Sequence, residues 1–229
     1  MESIWEYRYL LLSGTVVTVQ LAVSSLILSV ALGLAGASAK LAHNPISNRF
    51  ASAYTTLVRG VPDLVLMMLL FYGGQQIVNE LGTVTGWWDY LEIDQFIAGI
   101  GSIGFVFGAY MTETFRGAIL AIPRGQIEAG ISCGMTNLTI FRRITWPQMV
   151  RHALPGFTNN WLVLIKATAL VSVIGLHDVV WNASTAGRSV REPFTFMFAV
   201  LLIYLALTAI SDIGLRWLDR RYSAGVRPA

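Results

Sequence analysis

Charge is scarce in this chain. Of its 229 residues only 13% are Asp, Glu, Lys or Arg, 55% are hydrophobic, and the mean hydropathy is +0.60. A soluble domain needs roughly a quarter of its residues charged to cover its surface, so much of this surface faces something other than water. Cysteine is almost absent too. Cys133 stands alone, which excludes an internal disulfide and a cysteine-based zinc site. Lysine occurs only at Lys40 and Lys166, neither preceded by glycine, whereas a nucleotide-binding P-loop needs Gly-Lys-Ser/Thr. The histidines His43, His152 and His177 lie far apart with no second histidine at ligand spacing, so no metal set and no catalytic set is expected.

Long uncharged runs take the place of charge. Residues 9–39, 64–79, 95–112 and 193–211 contain no Asp, Glu, Lys or Arg, and 153–176 contains only Lys166. About 20 apolar residues in a helix cross the ~30 Å hydrocarbon core of a bilayer. The chain therefore reads as an all-α membrane protein, a single domain over 1–229, with about five transmembrane helices near 9–39, 54–79, 95–120, 154–177 and 193–215. Met1–Arg8 mixes Trp5 and Tyr7 with Glu2 and Glu6, which suits an interfacial aromatic anchor better than a cleavable leader.

The connecting segments alternate in charge. Lys40, Arg49, Arg124, Arg142, Arg143, Arg151, Arg216, Arg220, Arg221 and Arg227 fall on one side of the membrane, against Arg8, Arg188 and Arg191 on the other. The positive-inside rule then puts the N-terminus outside and the C-terminus in the cytoplasm. The isoelectric point near 9.2 does not imply nucleic acid, because these cations flank membrane spans rather than forming one polar stripe.

The longest inner loop, about 121–153, carries its own structure. Pro123 is suited to start a helix, with Ile127 and Ile131 at helical spacing, and Gly134 to end it. Thr136 can cap a second short helix through Asn137–Ile144 that Pro147 stops. Two short amphipathic helices lying across the spans, basic at Arg142 and Arg143, suggest a docking surface for a soluble partner.

Here a family likeness becomes specific. Glu128-Ala129-Gly130, then Gly134, Ile144 and Trp146-Pro147 resemble the signature loop of permease subunits in ABC importers, which reads Glu-Ala-Ala, Gly, Ile and Leu-Pro at these spacings. This chain departs from the pattern at Gly130 and Trp146. Arg59-Gly60-Val61-Pro62-Asp63, Tyr110-Met111-Thr112-Glu113-Thr114-Phe115-Arg116-Gly117-Ala118 and Asn160 to Leu170 are similar to the polar amino-acid branch of that family. Within it, permeases for histidine, lysine, arginine and ornithine look nearest. The resemblance implies a type I ABC importer permease fold in a bacterial inner membrane. It also implies a second permease, identical or different, two ATP-binding subunits that hold ATP and Mg, and a periplasmic amino-acid-binding protein. The residues Glu128, Ala129, Gly130, Gly134, Arg142, Arg143, Ile144 and Pro147 would then couple to the ATPase, and this chain would need no cofactor of its own.

Ionisable groups within a membrane cost ~2.5–3.5 kcal/mol each on insertion scales, so they line polar cavities or pair. From the helix rise, Asp63 lies about 14 Å, Glu113 about 10 Å and Lys166 about 18 Å from the cytoplasmic ends of their spans. They are expected to meet near one level, Glu113 as the principal contact for a cationic amino acid and Asp63 as the second. Thr112 and Asn160 would be neutral partners. The plainer alternative pairs Glu113 with Arg116 and Arg59 with Asp63 along their own helices.

Two other motifs fail their context. Gly130-Ile131-Ser132-Cys133-Gly134 matches a hydrolase elbow, but no acid lies between Ser132 and His177 and no histidine follows Asp178. Gly99-Ile100-Gly101-Ser102-Ile103-Gly104 matches a dinucleotide fingerprint but sits inside a span, where Gly104 and Gly108 make a small-residue packing face. An ion-coupled secondary carrier is the rival reading. Such carriers show internal repeats, and five spans do not divide evenly.

Overall fold

The computed structural model describes residues 2–223; Arg227, one of the inner cations, lies outside them. The helices are α1 (Glu2–Glu6), α2 (Arg8–Leu41), α3 (Pro45–Gly60), α4 (Asp63–Met68), α5 (Gly74–Thr85), α6 (Gln95–Leu120), α7 (Arg124–Ser132), α8 (Asn137–Ile140), α9 (Trp146–Ala167), α10 (Val179–Ser189) and α11 (Pro193–Ser223). π-helical turns at Leu69–Gly73 and Phe141–Thr145 join α4 to α5 and α8 to α9, and a 3-10 segment, Thr168–Ile174, extends α9. No strand occurs among the described residues. Five runs are long and apolar enough to cross a membrane: Arg8–Leu41, Asp63–Thr85, Gln95–Leu120, Asn137–Ile174 and Pro193–Tyr222.

Spans one, three and five match the expected ranges. The second differs because the helix does not continue from 54. Val61 is extended at φ −116°, ψ 143°, as a residue before proline prefers, so α3 ends at Gly60 and the span restarts at Asp63. The fourth begins earlier than 154. Pro147 does not stop a helix; it stands where the π-turn Phe141–Thr145 passes into α9, and the helix runs on through it. Trp146 keeps helical angles (φ −60°, ψ −50°) and the π-turn carries the chain through. The short α10 has no counterpart among the elements expected from sequence.

The centre of the bundle is the packing of α2 on α6. Glycines let the two backbones close. A Cβ on Gly33 would lie 2.5 Å from Met111 Cβ, one on Gly36 would lie 2.3 Å from Thr112 Oγ1, and one on Gly104 would lie 2.6 Å from Leu28. The small-residue face read from Gly104 and Gly108 thus packs on Leu28 and Leu32, and a reciprocal face on α2 receives α6. Around this seam lie Leu21, Ile103, Val106, Phe107, Leu164 and Val171, all buried.

At the end of the bundle near the N-terminus, α10 packs on α2 and α11 through Leu11, Val179, Ala183, Ala186 and Phe196. Polar bonds fix its start. Asp178 Oδ1 accepts the Trp181 N–H at 2.8 Å, Thr18 Oγ1 accepts the Val179 N–H at 3.2 Å, and Asn182 donates to the Leu10 carbonyl at 2.9 Å. Asp178 is fully buried and its second oxygen has no partner. Burial pushes its carboxyl up from 3.8 to about 6, against backbone N–H bonds that pull the other way.

This packing can be tested in two ways. Gly33→Val should lower the melting temperature in detergent, at a cost of about 1–3 kcal/mol for overpacking, while Gly117→Ala, whose Cβ meets nothing within 4 Å, should not; equal melting would refute the seam. For Asp178, the neutral form is the one the fold favours. Its stability is fully present below about pH 3.8 and is lost as pH rises through about 6. Asp178→Asn, which keeps the helix cap, should flatten that pH dependence in a thermal-shift series and raise the melting temperature above pH 6.

Candidate functional site

The loop between the third and fourth spans is built to present one face. After Pro123, α7 runs to Ser132 and closes with a left-handed Gly134 at φ 75°. Gly134 N–H bonds to the Ile131 carbonyl at 2.9 Å and Met135 N–H to the Gly130 carbonyl at 3.0 Å, the pair of bonds that ends a helix in a Schellman turn. Thr136 then caps α8 through its hydroxyl. Gly130 is where α7 touches α8 and the π-turn: a Cβ there would meet Ile144 at 3.0 Å and Ile140 at 3.2 Å. That close fit accounts for glycine where the resembling family has alanine.

Ile122 and Ile140 anchor the loop inward. Glu128, Ala129, Ile131, Leu138, Phe141, Arg142, Arg143 and Trp146 form its outer side, most of them exposed. Glu128 makes no side-chain hydrogen bond or ion pair among the described residues, so it is not spent inside the loop. Only α7 stands as a separate short helix; the expected second one is the opening of the fourth span. Ile144 is half-buried against Gly130, and Pro147 starts α9 rather than ending a helix.

An open polar cavity of about 420 Å³ lies where α2, α3 and α6 meet, lined by Lys40, Thr55, Arg59, Tyr110 and Glu113 among others. Glu113 is held from two sides, by Lys40 Nζ and by Arg116 Nε at 2.9 Å. Lys40 also donates to Thr55 Oγ1 at 2.8 Å. One turn earlier on α6, the Tyr110 hydroxyl hydrogen-bonds Asp63, and the Arg59 guanidinium lies 5.5 Å from the centre of the Tyr110 ring.

Glu113 therefore lines the cavity, while Asp63, which opens the second span, sits next to Tyr110 without lining it, and the other three candidates do not join them. Thr112 is fully buried against Gly36 with its hydroxyl bonded to the Gly108 carbonyl at 2.8 Å. Asn160 donates to Thr114 Oγ1 at 3.0 Å on a different face of α6. Lys166 is exposed in the last turn of α9 and has no ionic partner among the described residues. Of the plain pairings, Glu113–Arg116 forms and Arg59–Asp63 does not. Sequence reasoning misses Lys40 and Tyr110. Lys40 reads there as a membrane-flanking cation; Tyr110, three residues before Glu113 on the same face, carries the signal that is available.

A family described as binding-protein-dependent transport system inner membrane component matches residues 29–224, and the chain belongs to it. It is thus a multi-pass component of the bacterial inner membrane. Among curated relatives, the histidine/lysine/arginine/ornithine transport system permease protein HisQ of Salmonella typhimurium is 50% identical over 226 residues, covering 99% of each chain. The arginine ABC transporter permease protein ArtQ of Haemophilus influenzae is 38% identical, covering 95% of this chain and 96% of that one. A crystal structure of an amino acid ABC transporter with histidines superposes with a TM-score of 0.83 at 29% identity, covering 96% of this chain and 97% of that one.

The ion-pair cluster makes a direct prediction. Lys40→Met should destabilise the chain by leaving a half-buried carboxylate with one partner, and Glu113→Gln should destabilise it for the converse reason. The double variant should recover part of the loss, giving a coupling of about 1–3 kcal/mol in a double-mutant cycle. Additive effects would mean that the two side chains do not act together.

Proposed function

We propose that this chain is the permease subunit of an ATP-driven ABC importer for basic amino acids, with its N-terminus outside and its C-terminus in the cytoplasm. Two ATP-binding subunits carry ATP and Mg, a second permease completes the pathway, and a periplasmic binding protein delivers the substrate. This chain itself has no ATPase site. The observation that carries the substrate class is an open polar cavity with the Glu113 carboxylate in its wall and the Asp63 carboxylate beside Tyr110, another of its lining residues. The names of the HisQ and ArtQ relatives support the same class.

The geometry reverses the order of the two contacts expected from sequence. Glu113 is already neutralised by Lys40 and Arg116, so a cationic substrate would have to displace a cation to reach it. Asp63 is bonded to the neutral Tyr110 hydroxyl, and accepts an ammonium or guanidinium without that exchange. Arg59, held over the Tyr110 ring, is placed to take a substrate carboxylate. Thr112 and Asn160 serve the packing of α6 on its neighbours instead, and Lys166 is exposed at the end of α9, apart from the cavity.

In this reading the exposed face of the 124–147 loop seats in the ATPase subunit. Closure of the ATPase dimer on ATP then moves the loop, and with it the fourth span, between inward- and outward-facing states.

The test is ATP hydrolysis by the assembled complex in nanodiscs, with binding protein present and arginine, lysine, histidine or glutamine added. Stimulation by the basic amino acids, with Asp63→Asn losing at least tenfold in uptake and Arg142→Glu with Arg143→Glu losing the ATPase on purification, is the expected result. Stimulation by glutamine alone would overturn the substrate class, and failure to copurify with any ATPase would overturn the importer.

A further inference from the structure

One backbone position is out of keeping with its residue. Arg191 has φ 59° and is the single non-glycine residue with positive φ among the described residues. It lies just past the last turn of α10, where its N–H bonds to the Arg188 carbonyl at 3.4 Å and the Glu192 N–H bonds to the Gly187 carbonyl at 2.8 Å. Glycine is the usual occupant of this place, and a Cβ in the left-handed region is strained. Strain of this kind persists where the side chain is used.

What the strain displays is a guanidinium. Arg188 and Arg191 are both exposed and neither side chain has an ion pair or hydrogen bond among the described residues. Glu192, next in sequence, accepts from Ser3 Oγ at 3.2 Å instead. Arg8, the third cation of this end, is stacked on Trp5 and Tyr9. The carrier is rigid, since α10 is fixed to α2 and α11 by Phe196, Asn182 and the Thr18–Val179 bond. Among the other charges of the expected outer segments, Glu6, Glu80, Asp89, Glu92 and Asp94 are acidic and exposed.

We propose that Arg188 and Arg191 are the docking contact for an acidic patch on the soluble substrate-binding protein, set on α10 so that the partner seats in one register. This rests on the importer reading and on the outside placement of that end. Two guanidiniums bind carboxylates bidentately, and holding one of them at a fixed backbone position sets the register of the contact. A fluid anionic membrane would need only charge, not a side chain held at one strained backbone position.

The experiment measures ATP hydrolysis of the full complex in nanodiscs against the concentration of its binding protein loaded with arginine. Arg188→Glu with Arg191→Glu should raise the half-saturating concentration at least tenfold, leave hydrolysis without binding protein unchanged, and flatten the salt dependence of half-saturation. Arg191→Gly should raise the melting temperature while weakening half-saturation severalfold; Arg191→Lys should keep the melting temperature and weaken half-saturation by less, since it keeps the charge and loses the bidentate fork. Unchanged half-saturation in the double reversal would overturn the proposal, as would an effect seen only with anionic lipid and lost in phosphatidylcholine nanodiscs. No stimulation by binding protein in the unsubstituted complex would sink the importer reading itself, and this inference with it.

Discussion

The close approach of α2 to α6 is the contact on which the rest of this structure depends. Inside a bilayer the hydrophobic effect does not press helices together, because lipid tails are as apolar as leucine. Association has to come from fit. Gly33 and Gly36 on one helix and Gly104 and Gly108 on the other remove the side chains that would hold the backbones apart. What is gained is dispersion contact along the seam, and α3, α9 and the 3-10 segment then pack on the pair. The same closeness sets the polar cavity, since Lys40 reaches Glu113 only because α2 and α6 run side by side to their ends.

That cavity shows how charge is tolerated in such a chain. Glu113 has two cations, Lys40 has Thr55 as well, and Arg59 lies on an aromatic face. Each charge has something to offset its loss of water, yet the cluster stays open on one side. A fully enclosed network would be only structural. An open one leaves groups of both signs accessible, at positions already fixed by the fold.

Much of this is legible from sequence, and the failures have identifiable causes. Uncharged runs locate the first, third and fifth spans because length and charge alone decide them. Gly134 and Thr136 read correctly because each has one local job that few residues can do. Pro62 and Pro147 mislead in opposite directions: at the first, a proline breaks a run that looks continuous, and at the second it is admitted to a helix that looks finished. Proline's effect depends on the backbone on either side of it, which composition does not reveal. The site residues are half legible. Helical spacing brings out Glu113–Arg116, but the Lys40–Glu113 pair joins residues 73 apart in the chain, and no periodicity reports on that. Thr112 and Asn160 turn away from the cavity, which the sequence does not report because polarity is visible in it and direction is not. Asp178 and α10 escape notice because an eleven-residue helix between spans has no hydrophobic run to announce it.

The continuity of α8, the π-turn and α9 has a mechanical consequence. The fourth span runs helically from Asn137 to Ile174, 38 residues, or roughly 55 Å at the helical rise. The hydrocarbon core takes up ~30 Å of that, so a long arm projects beyond the bilayer with Arg142 and Arg143 near its free end. A body of that length works as a lever: a tilt of about 10° about one end carries the other through roughly 10 Å. The π-turn, one residue looser than the helix on either side, is one compliant joint in that lever, and Pro155 inside α9 is another. How far a tilt of the arm carries into the membrane is then set by the stiffness of these two places.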